Sequence, residues 1–119
     1  MIKRYFDTNK GSRWLVAALR TATSKIIADT IKYVSNNWPG KSVYLGGVDE
    51  ATGRVHHGCF VSQSHEVDLV AQEWTTHVAK AVGGNAGGKE SISLGSGDGV
   101  EEMDAGMKAA EDYVKGLNI

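Results

Sequence analysis

The stretch Gly83-Gly-Asn-Ala-Gly-Gly-Lys89 separates a helix-patterned run from a short β-patterned run. Glycine has no Cβ, so it permits positive φ and lets another surface approach the backbone closely. Successive exposed N–H groups with a lysine at their end are suited to phosphate. Two interpretations are open: a close-approach site for a polyanion, or a tight turn between a helix and a strand. The stretch lacks the Gly-x4-Gly-Lys-Ser/Thr spacing of a nucleotide-binding loop, which excludes an ATPase site of that kind.

The residues before this stretch predict two helices and three strands. A continuous apolar run at residues 14–19 indicates a buried strand, and residues 23–37 carry apolar side chains at helical spacing until Pro39 ends the helix. Two β-patterned runs, residues 42–48 and 54–61, flank a polar loop that ends in Gly53 and predict a hairpin. Residues 67–82 are predicted to form the second helix.

The residues after the glycine-rich stretch predict one strand and one helix. Residues 91–94 form a short β-patterned run, and an apolar stripe from Val100 to Leu117 indicates a helix. Asp98 and Glu101 are spaced as a capping pair for that helix. The predicted fold is a single α/β domain with a mixed sheet of about four strands and three helices, in the order β-α-β-β-α-β-α with one parallel crossover. We expect residues 1–12 to be a linker or the tail of a preceding helix, and residues 13–119 to be globular.

Composition limits the function classes. The chain has 119 residues, a hydrophobic fraction of 41% and a single cysteine, which excludes an internal disulfide and fits a reducing compartment. Its apolar runs are too short for a membrane span. The net charge is −1, but residues 1–48 carry +6 and residues 49–119 carry −7. This asymmetry is typical of a positive binding face, although solvated lysines spread around a helix explain it equally well.

The side chains that usually carry catalysis do not converge in this sequence. His56 and His57 are neighbours in a predicted strand and point to opposite faces, which disfavours a shared metal ion. Cys59 lies in mid-strand, away from any helix N-terminus, so we expect a buried structural thiol. The tryptophans Trp14, Trp38 and Trp74 and the tyrosines Tyr33 and Tyr44 are candidates to stack on unpaired bases, with Trp38 the best exposed and Trp74 expected in the core.

A known family carries several of these features together. Gln72-Glu-Trp74, the stretch 83–89, Ser91-Ile-Ser-Leu-Gly-Ser-Gly97 and the closing helix resemble the C-terminal domain of alanyl-tRNA synthetases, a DHHA1-type domain known as C-Ala. The hairpin Val48-Asp-Glu-Ala-Thr-Gly-Arg-Val55 is similar to the eukaryotic form. The resemblance covers nearly the whole chain from about residue 6.

This resemblance implies a tRNA-binding accessory domain that contacts the elbow of alanine tRNA and supports aminoacylation and editing by the parent enzyme. It implies a DHHA1-like fold, no catalytic residues and no cofactor in this domain, and an alanine–tRNA ligase as the parent protein. The expected partners are alanine tRNA and the remaining domains of the synthetase, with no membrane, in the cytoplasm or the mitochondrion. DNA binding, and a protein-interaction or dimerisation role with weak self-association through the closing helix, are the alternatives.

The predicted nucleic-acid-binding residues combine the glycine-rich stretch with basic residues of the first half. By position, the resemblance implies that the backbone of the four glycines and the charge of the lysine contact the nucleic acid. Asn85 and Ala86 interrupt a glycine run that is often longer in the family. The basic residues follow from charge alone. The full set is Gly83, Gly84, Gly87, Gly88, Lys89, Arg13, Arg20, Lys25, Lys32 and Lys41.

Overall fold

The computed structural model describes residues 13–62, 69–89 and 91–117. The predicted boundary between residues 12 and 13 depends on residues outside this part of the chain, so it stays a prediction. The elements in chain order are β1 (Trp14–Ala18), α1 (Ser24–Asn37), β2 (Ser42–Asp49), β3 (Arg54–Phe60), α2 (Ala71–Val82), β4 (Asn85–Gly88), β5 (Ile92–Gly97), a 3-10 turn (Val100–Glu102) and α3 (Met103–Lys115).

The described strands form one mixed sheet in the order β1-β2-β3-β5-β4. β1 runs parallel to β2, and α1 connects them; all other neighbours are antiparallel. This confirms the single α/β domain, the parallel crossover and the three helices. The number of strands is five in the described residues rather than about four.

The additional strand is β4, which lies inside the stretch that the sequence predicts to be a loop. Asn85 pairs with Ser96 and Gly88 pairs with Ser93, so β4 and β5 form a second hairpin. Glycine is depleted in strands because it has no side chain to pack, and the stretch therefore carries no β-pattern. The ladder of backbone hydrogen bonds to β5 makes this segment a strand.

The predicted hairpin of β2 and β3 is confirmed, together with its loop. The N–H of Gly53 donates to the carbonyl of Asp49 over 2.8 Å, and Gly53 has a φ of +68°. The Asp49 carboxylate accepts the N–H of Ala51 over 3.1 Å. Asp49 therefore closes the turn with both backbone and side chain, and glycine supplies the left-handed position.

α1 covers one face of the sheet. Thr23 caps its N-terminus by accepting the Ile26 N–H over 3.1 Å, and the helix ends at Asn37, before Pro39. The core on this face consists of buried apolar residues from α1, its flanking loop and the strands: Leu15, Ala22, Ile27, Ile31, Val34, Val43, Leu45 and Phe60. β1 is an edge strand in which Leu15 alone is buried, and this corrects the expectation of a buried strand.

α2 and α3 cover the opposite face, around Trp74. This side chain is fully buried, as expected, and its indole N–H donates to the carbonyl of Ala110 over 2.9 Å. Gly106 lets the two helices approach, because a Cβ at that position would lie 2.7 Å from Val82 Cγ1. The second core therefore joins α2, α3 and the face of β2 and β3 that carries Tyr44, Val55 and Cys59.

The starts of both later helices differ from prediction. α2 begins at Ala71 rather than at residue 67, because Val70 has extended backbone. The predicted capping pair is wrong: neither the 3-10 turn nor α3 has a side-chain cap, and the Asp98 carboxylate accepts from Arg54 on β3 instead. Val100 is exposed, since it lies in the 3-10 turn rather than on the buried stripe of α3.

Candidate functional site

The glycine strand β4 is the outermost strand of the sheet. It pairs only with β5, so in the described part of the chain its other edge has no strand partner. Asn85, Gly87 and Gly88 are exposed and Ala86 is half-buried. Backbone N–H and C=O groups along such an edge are available to a ligand or to another chain.

The four glycines of the predicted site have different structural roles. A Cβ at Gly84 would collide with the backbone of Ser96, and a Cβ at Gly88 would collide with that of Ile92. Gly83 faces open space, but it has a φ of +77°. Gly87 faces open space and has no positive φ. The fold therefore explains glycine at three positions and leaves the glycine at position 87 unexplained.

A groove of about 510 Å³, lined by both polar and apolar residues, lies beside Gly87, on the side of the sheet that α1 covers. Its walls are the first residue of α1, one half-buried side chain of β3, three residues of β5 and the glycine strand. The lining residues are Ser24, His56, Leu94, Gly95, Ser96, Asn85, Ala86 and Gly87. A side chain added at Gly87 would project into or next to this groove.

A second groove, of about 320 Å³, lies on the other side of β4, against α2. Thr76, Ala79 and Lys80 line it from the helix, and residues 84–86 line it from the strand. Lys80 is exposed and lies in the last turn of α2. The glycine strand thus separates two grooves, and the Lys80 ammonium group lies beside the groove on the α2 side.

The strand register places three of the predicted basic residues at one end of the sheet. Arg13 precedes β1, and its carbonyl accepts the Ser42 N–H over 2.8 Å, while Lys41 comes directly before Ser42. Lys89 follows β4 in the β4–β5 turn, where its N–H donates to the Ile92 carbonyl over 2.8 Å. The pairs Val43–Phe60 and Phe60–Ile92 bring these positions to the same end. Four strand spacings, about 19 Å, separate β1 from β4.

The other predicted residues do not join this end. Arg20 follows β1 at the opposite end, where Gly83 and Gly84 also lie. Lys25 is in the first turn of α1 and forms an ion pair with Asp29 over 2.7 Å. Lys32 is exposed on α1, about 10 Å further along the helix axis. The structure therefore divides the ten predicted residues between both ends of the sheet and α1, and their role in binding stays a prediction.

Tyr44 is excluded as a candidate for base stacking by its burial, and Trp74 lies in the core as predicted. Tyr44 and Trp74 are fully buried in the second core, where their rings meet edge to face with centroids 5.0 Å apart. Trp38 is half-buried at the end of α1 and packs edge to face with Tyr33. An aromatic pair that the sequence did not suggest, His77 of α2 and Tyr113 of α3, has ring centroids 5.0 Å apart and is half-buried.

The His56-His57-Gly58-Cys59 cluster is structural. The Tyr44 hydroxyl lies 2.6 Å from His57 Nδ1, and burial lowers the pKa of His57 to about 4, with a smaller contribution from His56. Burial raises the pKa of the Cys59 thiol, which donates to the Ala71 carbonyl over 3.4 Å. The predicted division of this strand into two faces is confirmed. Within the described ranges, no three His, Cys, Asp or Glu side chains cluster as metal ligands.

The closing helix directs its methionines toward the sheet. A Cβ at Gly46 would lie 2.6 Å from Met103 Cε and 2.7 Å from Met107 Sδ, so both side chains pack over this glycine. They belong to the margin of the second core. Among the described helices, none is long and apolar enough to cross a lipid bilayer.

Sequence reasoning missed the side chains that line the two grooves. Ser24 meets Ser96 only because α1 packs on one face of the sheet, and Lys80 lies beside the glycine strand only because α2 packs on the other face. The open position of Gly87 depends on the pairing of β4 with β5. One signal was available: Asn85 and Ala86 stand between two glycine pairs, which is unusual for a purely flexible loop.

Comparison with known proteins identifies the family. Residues 11–116 match the DHHA1 domain family. The chain is 30% identical over 117 residues to an alanine–tRNA ligase of Schizosaccharomyces pombe, covering 98% of this chain and 12% of that protein. It is 31% identical to the mitochondrial alanine–tRNA ligase of Saccharomyces cerevisiae, covering 95% of this chain and 12% of that protein. The chain thus spans about one eighth of the length of these relatives.

A solved structure matches the fold. The C-Ala domain from Aquifex aeolicus alanyl-tRNA synthetase superimposes with a TM-score of 0.70 at 13% sequence identity, over 83% of this chain and 87% of that domain. The DHHA1-like fold inferred from the sequence is therefore confirmed, and alanine–tRNA ligases are the relatives that share it. The chain belongs to the DHHA1 domain family, in the form found in alanine–tRNA ligases.

Proposed function

We propose that the chain is the tRNA-binding accessory domain of an alanyl-tRNA synthetase and that it contacts the elbow of alanine tRNA. Its membership of the DHHA1 family and its alanine–tRNA ligase relatives support this function. The observation that carries the proposal is Gly87, an exposed glycine that packing does not require, on a strand edge without a partner strand in the described residues and beside a groove that contains polar side chains.

The edge of β4 has the properties that an RNA backbone needs. Among the described residues its outer edge has no strand partner, and the missing side chain at Gly87 lets phosphate or ribose come close to that edge. Hydroxyl and imidazole groups of Ser24, Ser96 and His56 line the adjoining groove. Lys89 at the end of the strand supplies positive charge for a phosphate, as expected for contacts that position a nucleic acid rather than read its sequence.

The domain would hold tRNA while other domains of the parent enzyme carry out aminoacylation and editing. A contact at the elbow adds a second attachment point, which raises the affinity of the whole enzyme through effective concentration. We propose no catalytic residue and no cofactor for this domain, because its nucleophiles and acid–base groups do not form a site in the described residues. The parent protein would act in the cytoplasm or the mitochondrion.

Enlarging the side chain at position 87 tests the proposal. Gly87→Val adds three carbon atoms to the exposed edge of β4, whereas Ala18→Ile adds three at the exposed end of β1, on the opposite edge of the sheet. We expect Gly87→Val to weaken the binding of alanine tRNA about tenfold, or roughly 1.4 kcal/mol, and Ala18→Ile to leave it unchanged. Thermal unfolding of both variants serves as the control for folding.

Two outcomes of this experiment would contradict the proposal. Equal affinity of Gly87→Val and wild type for tRNA would remove the edge of β4 from the interface. Absence of tRNA binding by the wild-type domain at low salt would reject the function itself. Parallel titration with a DNA duplex of matched length addresses the alternative that the domain is a general nucleic-acid-binding module, since such a module would bind both with similar affinity.

A further inference from the structure

A third groove, of about 510 Å³, lies on the outer surface between α2 and α3, away from the edge of β4. It is lined by Gln72, Glu73, Thr76, His77, Lys80 and Tyr113. It shares Thr76 and Lys80 with the groove beside the glycine strand, so the two grooves adjoin along α2. Neither the charge pattern nor the glycine-rich stretch suggested a site here.

We propose that this groove binds one unpaired nucleobase of the RNA whose backbone crosses β4. The inference rests on the proposed function and extends it, because it adds recognition of a flipped-out or looped base to contacts with the RNA backbone. The proposal depends on three features of the groove: its aromatic floor, its polar edge and the distribution of its charges.

The aromatic floor consists of His77 and Tyr113. Their rings pack against each other, tilted by 32° with centroids 5.0 Å apart, and both line the groove, so the stacked pair presents a half-buried aromatic face between the helices. Single-stranded RNA is commonly recognised by stacking of bases on tyrosine, histidine and other flat side chains. A base inside a duplex has no free face for such a contact, which restricts the occupant to an unpaired base.

The polar edge provides both hydrogen-bond donors and acceptors. Gln72 has an amide, and the Glu73 carboxylate accepts hydrogen bonds. The pKa of Tyr113 is raised by partial burial and by Glu73, which places that carboxylate next to the aromatic floor. Carboxylates accept hydrogen bonds from the exocyclic amino group of a base. A cytosine, adenine or guanine therefore suits this edge.

The distribution of charge separates the place for the base from the place for the phosphate. Glu73 would repel a phosphate, whereas Lys80 attracts one, and the two lie on the same face of α2 about two turns, or 10 Å, apart. Lys80 forms no ion pair within the described residues. The phosphate thus belongs near the glycine strand and the base belongs at the aromatic end.

Nuclear magnetic resonance of the wild-type domain tests this inference directly. The chain contains four histidines, so the imidazole C–H signal of His77 can be assigned by comparison with His77→Gln. Titration with alanine tRNA is expected to move this signal upfield, because a stacked base shields the ring protons. The imidazole of His56, in the groove on the other side of β4, is the internal reference for the effect of nearby phosphate.

An affinity measurement complements the spectroscopic one. His77→Ala removes one of the two rings of the aromatic floor at a half-buried position of α2 and is expected to weaken binding of tRNA roughly tenfold. Ile26→Ala, which truncates an exposed side chain of α1 that lines none of the three grooves, is expected to leave the affinity unchanged. The ratio of affinities for a single-stranded RNA and an RNA duplex of equal length should fall in His77→Ala and stay constant in Ile26→Ala.

The possible outcomes separate this inference from the proposed function. An upfield shift at His77 together with weakened binding by His77→Ala supports the base site. Binding of tRNA with no shift at His77 and full affinity of His77→Ala overturns the base site and leaves the function of the glycine strand intact. If the wild-type domain binds no tRNA, the proposed function is rejected and the base site is rejected with it.

Discussion

The hydroxyl of Tyr44 lies 2.6 Å from Nδ1 of His57 in the second core, and the two rings are nearly parallel. On the far side of the imidazole lies Gly95, where a Cβ would be 2.5 Å from His57 Cε1. The Nε2 atom of His57 has no hydrogen-bond partner in the described structure. This buried polar pair therefore joins β2 to β3, and its imidazole packs against Gly95 of β5, the strand that pairs with the glycine strand.

Removing the Tyr44 hydroxyl should destabilise the fold. Tyr44→Phe retains the ring that packs on Trp74 but leaves His57 Nδ1 buried without a partner, which costs about 1–3 kcal/mol in the free energy of unfolding. Urea unfolding measures this change. Tyr33→Phe, at an exposed position, should unfold like the wild type. Equal stability of Tyr44→Phe and wild type would show that the hydrogen bond contributes nothing.

The stability of the fold should decrease in mild acid because of His57. Its pKa is lowered from the ordinary value of 6.5 to about 4, so the unfolded chain takes up this proton before the folded chain does. The stability that results from the lowered pKa of His57 is fully present above pH 6.5 and is lost as the pH falls to about 4. The loss amounts to at most about 3 kcal/mol in the free energy of unfolding.

Urea unfolding between pH 7 and pH 4.5 tests this dependence. Because carboxylates also titrate in this range, the quantity that matters is the difference between wild type and His57→Gln, which should have a smaller pH slope. His56→Gln removes the neighbouring half-buried histidine and should retain most of the wild-type slope. Identical slopes for wild type and His57→Gln would rule out His57 as the source.

Two glycines of the predicted site, Gly84 just before β4 and Gly87 within it, should respond differently to the same substitution. Gly84→Ala places a Cβ against the Ser96 backbone at a φ of +78° and should cost about 1–3 kcal/mol of stability. Gly87→Ala meets open space and should leave the stability within about 1 kcal/mol of wild type, or raise it slightly, because glycine is unfavourable in a strand. Thermal unfolding of the two variants side by side is the measurement, and equal losses would contradict the assigned roles.

Lys89 should contribute one phosphate contact. Lys89→Ala is expected to weaken tRNA binding and to reduce the slope of log affinity against log salt concentration by roughly one. Lys108→Ala makes the same change in charge on α3, where Lys108 pairs with Asp112 over 3.4 Å, and should leave the slope unchanged. Fluorescence titrations at several salt concentrations measure both, and an unaltered slope for Lys89→Ala would exclude the phosphate role.

The parts of the fold that the sequence predicted correctly are those with strong local signals. The stripe of Ile27, Ile31 and Val34, the proline after α1 and the Asp49–Gly53 turn identify their elements through periodicity and turn chemistry. The length of that turn also sets the register of the hairpin, in which Tyr44 lies opposite Cys59 and shares its face with His57. The Tyr44–His57 pair was thus accessible from the sequence in principle.

The parts that the sequence could not predict depend on long-range packing. β4 has almost no side chains, so only its ladder with β5 makes it a strand. The distinction between Gly87 and its neighbours depends on which backbone atoms stand opposite each one. His77 and Tyr113 are 36 residues apart in the chain and meet only because α2 packs on α3. The basic residues that were selected by charge alone lie at both ends of the sheet and on α1, because strand order and helix packing decide their positions.

The most direct test of the central claim is a titration of the isolated domain with alanine tRNA, with the same tRNA carrying a disrupted elbow, and with a DNA duplex of matched length, each at two salt concentrations. Recognition of the elbow predicts the tightest binding to intact tRNA, and weaker binding to the other two. Equal affinity for all three would contradict elbow recognition and reduce the glycine strand to a general polyanion contact.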